Sequence, residues 1–106
     1  MVQIINSPVS GSTVTVENDE LYVTNTGSIT NSGLALNLKG DVLAFINGDV
    51  TGNVAIQALG DGNRVVVIGA FAHLQYSDLY SGIKIGGNTI VRNEGVINGD
   101  SLAVYV

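Results

Sequence analysis

A short pattern returns about every twenty-one residues along this chain. A small or turn-forming residue is followed two positions later by a large apolar residue and then, as a rule, by a polar one. It stands as Ser7-Pro8-Val9-Ser10, Gly27-Ser28-Ile29-Thr30, Gly48-Asp49-Val50-Thr51, Gly69-Ala70-Phe71-Ala72 and Gly95-Val96-Ile97-Asn98. The apolar anchors Val9, Ile29, Val50, Phe71 and Ile97 are 20, 21, 21 and 26 positions apart. A period in this range marks a repeat architecture, in which each unit is too small to bury its apolar side alone and does so by stacking on its neighbours.

Within each unit the apolar residues keep a period of two, as strands do. Six positions upstream of the anchors stand Gln3, Val23, Ala44, Val65 and Val91, and four upstream stand Ile5, Asn25, Ile46, Val67 and Asn93. Even offsets lie on one face of a strand. The position after each anchor is mostly polar: Ser10, Thr30, Thr51, Ala72 and Asn98. A second apolar triplet follows each anchor, from Val14-Thr15-Val16 and Leu34-Ala35-Leu36 to Val54-Ala55-Ile56, Ile83-Lys84-Ile85 and Leu102-Ala103-Val104. Between triplet and next anchor come Asn18-Asp19, Gly40-Asp41, Gly60-Asp61-Gly62-Asn63 and Gly86-Gly87-Asn88, residues that tolerate the backbone angles of tight turns.

These patterns predict a single all-β domain over 1–106, a right-handed parallel β-solenoid (β-helix) of about five coils with the five anchors stacked inward in one column. A piece of a longer repeat protein would read the same way. Asn25 and Asn93 fall in the inward-facing set, where each amide needs a turn backbone as partner. The alternative fold is an antiparallel β-sandwich, whose strands also recur between turn signals but need no anchors in constant register.

Composition narrows the partners. Four Lys plus Arg against nine Asp plus Glu give a net charge of -5, which repels a phosphate backbone and an anionic lipid surface alike. Nucleic-acid binding and membrane insertion are therefore not expected. The absence of cysteine excludes disulfides and thiolate chemistry. The opening Met1-Val2-Gln3-Ile4-Ile5-Asn6 lacks the basic region and apolar stretch of a cleavable signal peptide.

The fourth repeat is longer than the rest. From Phe71 to Ile83 is twelve positions, where the other repeats take four or five from anchor to triplet. The surplus lies within 72–82 and holds the one histidine. Insertions in repeat proteins map to loops on one face, often the binding face, so His73, Tyr76, Asp78 and Tyr80 form the candidate ligand-binding set. The competing reading is a loop whose Leu74, Leu79 and tyrosines cover part of the solenoid wall.

The search for chemistry gives little. No nucleophile-elbow motif accompanies His73. Asp41 and Asp61, twenty positions apart, fall roughly one coil apart as a paired-carboxylate site would require, but long loops walling a cleft are missing. Asp41, Asp49, Asp61 and Asp100 all follow glycine, a placement that suits turns. Gly60-Asp61-Gly62-Asn63 is similar to half of a glycine-rich calcium nonapeptide, but that site needs tandem copies and this chain has one partial copy. The expectation is no metal, no cofactor and no enzymatic activity.

The segments Asn25-Thr26-Gly27-Ser28-Ile29-Thr30-Asn31-Ser32-Gly33, Asn47-Gly48-Asp49-Val50-Thr51-Gly52 and Asn93-Glu94-Gly95-Val96-Ile97-Asn98-Gly99 resemble the β-helix repeats of bacterial secreted and surface proteins, such as autotransporter passengers and filamentous haemagglutinin-like adhesins. The resemblance implies a non-enzymatic structural or adhesive module in a secreted or cell-surface setting. The alternative from another class is a small carbohydrate-active or sugar-binding β-helix domain. A protein or glycan surface is the partner either reading implies. Strand-like sequence at both ends, Val2-Gln3-Ile4-Ile5 and Leu102-Ala103-Val104-Tyr105-Val106, further predicts a homo-oligomer through exposed strand edges, end to end or through a side face, most simply a symmetric dimer.

Overall fold

The computed structural model describes residues 2–77, 81–98 and 102–105, with 81 and 102–105 given by backbone alone. The chain winds through five coils of three short strands. The first coil is β1 (Val2–Ile5), β2 (Pro8–Ser10) and β3 (Val14–Glu17), and the second is β4 (Glu20–Val23), β5 (Ser28–Thr30) and β6 (Leu34–Lys39). The third is β7 (Val42–Ile46), β8 (Asp49–Gly52) and β9 (Val54–Ala58). The fourth is β10 (Asn63–Ile68), β11 (His73–Tyr76) and β12 (Ser81–Ile85), and the fifth is β13 (Asn88–Asn93), β14 (Val96–Asn98) and β15 (Leu102–Tyr105).

Each strand pairs with its counterpart one coil away. The result is three five-stranded sheets: sheet A, β1-β4-β7-β10-β13; sheet B, β2-β5-β8-β11-β14; and sheet C, β3-β6-β9-β12-β15. Every pairing is parallel. This is a right-handed parallel β-solenoid, and the sandwich alternative falls because its strands would pair antiparallel.

Alternation sends every second side chain into the space the sheets enclose. Sheet A contributes Leu21, Ala44 and Val66 in one column and Val23, Ile46 and Ile68 in the next. Sheet C contributes Leu36, Ile56 and Ile83. All are buried, and together they form one continuous apolar column along the axis. At about 25 cal/mol per Å² of apolar area removed from water, this column is the main term holding the coils together.

The anchor column of sheet B differs from the expected one at its fourth place. Val9, Ile29, Val50 and Ile97 stack as predicted, but Leu74, not Phe71, stands between Val50 and Ile97. Leu74 is fully buried, whereas Phe71 is 75% exposed. The reason is turn length. From the last register position of sheet A to the sheet B anchor, the first, third and fifth coils take four residues (Ile5 to Val9, Ile46 to Val50, Asn93 to Ile97). The second and fourth take six (Val23 to Ile29, Ile68 to Leu74). A fixed upstream offset therefore mixes columns. Val23 belongs with Ile5, Ile46 and Ile68, and Val65 faces outward beside Leu43.

The same shift removes Asn25 from the interior: it lies in the exposed turn after β4. Asn93 ends β13, is exposed, and accepts the Gly95 amide hydrogen on Oδ1 at 2.9 Å. Nor is 72–82 a single insertion. Residues 73–76 are strand β11, hydrogen-bonded into sheet B between β8 and β14. Two of the surplus residues fall in the turn before β11, which takes six positions from Ile68 to Leu74 where the first, third and fifth coils take four.

The small residue two places before the anchor does have a steric cause. In the turn from sheet A to sheet B successive backbones pass so close that a Cβ on Gly48 would run into the carbonyl oxygen of Gly27.

Buried-charge substitutions test this column. Ile29→Asp and Val50→Asp each strand a carboxylate in the core at a cost of several kcal/mol, comparable with the whole stability of a small domain, about 5 kcal/mol or more. Both should lose the sheet signal in circular dichroism, and so should Leu74→Asp. Phe71→Asp, at an exposed position, should fold and melt within a few degrees of the parent. If Phe71→Asp unfolded the chain while Leu74→Asp did not, the assigned register would be wrong.

Candidate functional site

Chemistry-bearing side chains gather at two places, one inside a corner of the solenoid and one on an outer face. The corner is the turn from sheet C back to sheet A. Arg64 stands here at the start of β10, in the same inward-facing set as Val66 and Ile68. It is 1% exposed and is the one buried charged residue among those described. All five guanidinium hydrogens have acceptors. Nε donates to Thr89 Oγ1 at 3.1 Å. Nη1 donates to the carbonyls of Gly40 and Asp61, both at 3.2 Å. Nη2 donates to those of Gly60 at 2.8 Å and Gly86 at 2.9 Å. One side chain thus gathers carbonyls from three successive turns. A planar fork with five donors can do this; a lysine ammonium, with three donors on one atom, cannot. Gly87 completes the corner. Its φ is +63°, and an added Cβ would lie 2.7 Å from the Gly60 carbonyl oxygen and 3.2 Å from Arg64 Nη2.

Just outside this corner runs a ladder of Asx residues. The Asp41 amide donates to Asn18 Oδ1 at 2.9 Å. The Asn63 amide donates to Asp41 Oδ1 at 2.8 Å. Asn88 Nδ2 donates to Asn63 Oδ1 at 3.1 Å. Asp41 is therefore in register with Asn63 and not with Asp61, so the expected Asp41–Asp61 stacking does not occur. Asp61 offers its backbone carbonyl to Arg64 instead. The Gly60-Asp61-Gly62-Asn63 turn supplies two carbonyls, of Gly60 and Asp61, that accept from an arginine, and among the described residues no group of three or more His, Asp or Glu is arranged to hold a metal ion.

Of the candidate ligand set, His73 and Tyr76 lie among the described residues. His73 is half-buried on the outer side of β11, in register with Asp49 and Val96. Tyr76 is only 6% exposed, and its ring lies where a Cβ on Gly82 would be. His73 and Tyr76 thus leave β11 on opposite sides. Asp78 and Tyr80 lie outside the described residues. Beside Tyr76 is a groove of about 510 Å³ bordered by Asn31, Thr51, Asn53, Gln75 and Ser77.

The outer faces differ sharply. Sheets B and C are polar outside, with columns such as Thr30, Thr51, Gln75 and Asn98 or Thr15, Asn37, Gln57 and Lys84. Sheet A is apolar outside. Its two outward columns are Val2, Glu20, Leu43, Val65, Ile90 and Ile4, Tyr22, Phe45, Val67, Arg92. The Tyr22 and Phe45 rings stack at 5.2 Å with 10° between their planes. Tyr22 Oη donates to Glu20 Oε2 at 3.2 Å. Burial first, then this hydrogen bond and the Glu20 charge, push the Tyr22 phenol above its usual 10.0. At the end of these strands Tyr22, Thr24, Asn25, Phe45, Asn47 and the exposed Phe71 border a groove of about 310 Å³. The longer turn of the fourth coil is what carries Phe71 out to this rim.

Comparison with protein-family models, with curated proteins and with solved structures gives no match.

Removing the guanidinium should be costly. Arg64→Leu leaves buried carbonyls without partners at about 1–3 kcal/mol each, so it should unfold or lower the melting temperature by well over ten degrees. Arg64→Lys should recover only part of the loss. A stability unchanged in Arg64→Leu would show that water satisfies the corner. Tyr22 offers a second check. Because its folded-state value is raised, its stabilising contribution is complete below pH 10.0 and is lost as pH rises through the folded value. Glu20→Gln should move the Tyr22 ionisation, read by ultraviolet titration against Tyr22→Phe, part of the way back toward its usual value.

Proposed function

We propose that this chain is a non-enzymatic structural or adhesive module of a secreted or surface-exposed bacterial repeat protein. The observation that carries the reading is how the polar side chains are used. Arg64 gives all five of its donors to hold three turns together, and Asn18, Asp41, Asn63 and Asn88 tie coil to coil. These groups build a stiff stack and leave broad outer faces as the working surface. Solenoids bind through such extended faces. The resemblance of the Asn/Gly-rich coils to adhesin-type β-helix repeats supports the same reading and the same setting. Strand edges on the first and fifth coils suit pairing with a further chain by strand addition.

A second reading is a sugar-binding or carbohydrate-active β-helix. The amides and hydroxyls of Asn31, Thr51, Asn53, Gln75 and Ser77 along the groove beside Tyr76 favour it, because convergent amides and hydroxyls match the hydroxyl edge of a saccharide.

A glycan array followed by a reducing-sugar assay on any glycan retained separates the two. The structural or adhesive reading expects no release of reducing ends, with or without binding. Turnover abolished by His73→Ala or Asp78→Asn would replace it with the enzymatic one. Binding lost in Gln75→Ala, without turnover, would mark a glycan-recognition module.

A further inference from the structure

We infer that the outer face of sheet A is an interface between two copies of this chain, related by a two-fold axis along β7. The inference stands apart from the adhesive reading and concerns a face, not the strand edges. Three observations carry it.

The first is that this face is the odd one out. Its two outward columns hold apolar or aromatic side chains except at Glu20 and Arg92, while sheets B and C show polar columns in the same coils. Ile4 and Ile90, at opposite ends of the stack, are 62% and 65% exposed. A contiguous apolar patch rimmed by polar residues marks a surface that meets a partner.

The second is a knob and a hole placed symmetrically. An axis along the middle strand, lying between two facing sheets, puts each coil over the partner's coil at equal distance from the centre. The fourth lies over the second and the fifth over the first, with strand ends kept over strand ends. Phe71 follows the end of β10 in the fourth coil and is 75% exposed. The groove at the ends of β4 and β7 is bordered by Tyr22, Thr24, Asn25, Phe45 and Asn47 from the second and third coils and by the chain's own Phe71 from the fourth. The two-fold therefore lays the Phe71 of each copy over the second-coil side of the other's groove, opposite the Phe71 already at its rim. Self-complementarity of this kind is what an isologous contact requires, and an aromatic anchor in a pocket is the commonest source of its affinity.

The third is charge. Glu20 and Arg92 are the two charged residues of the face, of opposite sign, in the second and fifth coils. The same axis brings Arg92 over the partner's Ile4, one strand and two residues from the partner's Glu20, and does so twice. Arg92 is 71% exposed and pairs at 3.2 Å with Glu94, itself half exposed, so it can turn to a new partner at little cost.

Five strands about 4.8 Å apart and some five residues long give a patch on the order of 400 Å². That is below the roughly 800 Å² per partner of a standard interface, so the dimer should be reversible and concentration-dependent. Sedimentation of the whole chain from micromolar to millimolar concentration should show a monomer–dimer equilibrium. Phe71→Ala and Val67→Lys, both outside the core, should weaken it about ten-fold or more while leaving circular dichroism and melting unchanged. Facing sheets lie about 10 Å apart, too far for a disulfide, but a short bis-maleimide should link Phe45→Cys copies on the axis and leave Thr51→Cys copies, on sheet B, unlinked. A monomer at the highest concentration overturns the inference. So does association that persists in both face variants, or equal cross-linking at Thr51→Cys, since each would place the contact elsewhere.

Discussion

Parallel coils stack only if each repeats the path of the one before it, yet the coils of this chain differ in length. The strands hold constant register through backbone hydrogen bonds, so every extra residue must leave at a corner. The corner between sheets C and A shows what this entails. Turn carbonyls of three successive coils point toward one another with no strand to pair them, and Arg64 answers by donating to four of them. A buried cation is normally expensive, but here its charge is distributed over oriented carbonyl dipoles and each N–H has an acceptor. The neighbouring Asx ladder does the same for amide hydrogens at the mouth of the turn. Apolar burial supplies most of the cohesion, while these polar groups set which residue of one coil sits on which residue of the next.

The corner between sheets A and B handles length differently. It has no clamp of this kind, and the two longer turns bulge outward. In the second coil the extra residues bring Thr24 and Thr26 against the backbone carbonyls of Ile5 and Asn6. In the fourth they push Phe71 into solvent beside the aromatic pair on sheet A. A difference of two residues in one turn thus converts what looks like a core anchor into a surface feature. Structure and surface chemistry are linked at this point, because the strand that follows, β11, regains register with Leu74 and leaves the core undisturbed.

Much of this was legible in the residues. The anchors Val9, Ile29, Val50 and Ile97, the apolar triplets of sheet C and the Gly/Asx turns were readable because period two and turn chemistry are local properties. Phe71 and Leu74 are both large, apolar and close to a plausible turn, and periodicity does not distinguish them; the register does. Arg64 left a signal that spacing alone could have caught: it shares parity with Val66 and Ile68, which places it inside. The ladder also leaves a trace, the recurrent Gly-Asx pair in Gly40-Asp41, Gly62-Asn63 and Gly87-Asn88, whereas Asn25 lies in an exposed turn and Asn93 ends the inward column of sheet A in register with Ile68.

By itself the sequence determined the class of fold, the number of coils and the inward set of most strands, since burial of alternate apolar residues follows from strand geometry and the repeat length follows from the spacing of turns. Only the tertiary structure decided the register between coils, because that depends on how many residues each corner absorbs, and a corner's capacity is set by the hydrogen bonds available across it. It also decided which residues meet from different coils: the carbonyls gathered by Arg64, the Asx ladder, the Tyr22–Phe45 stack and the exposed Phe71. These are contacts between residues some twenty positions or more apart, and their energies exist only once the coils have been laid one upon another.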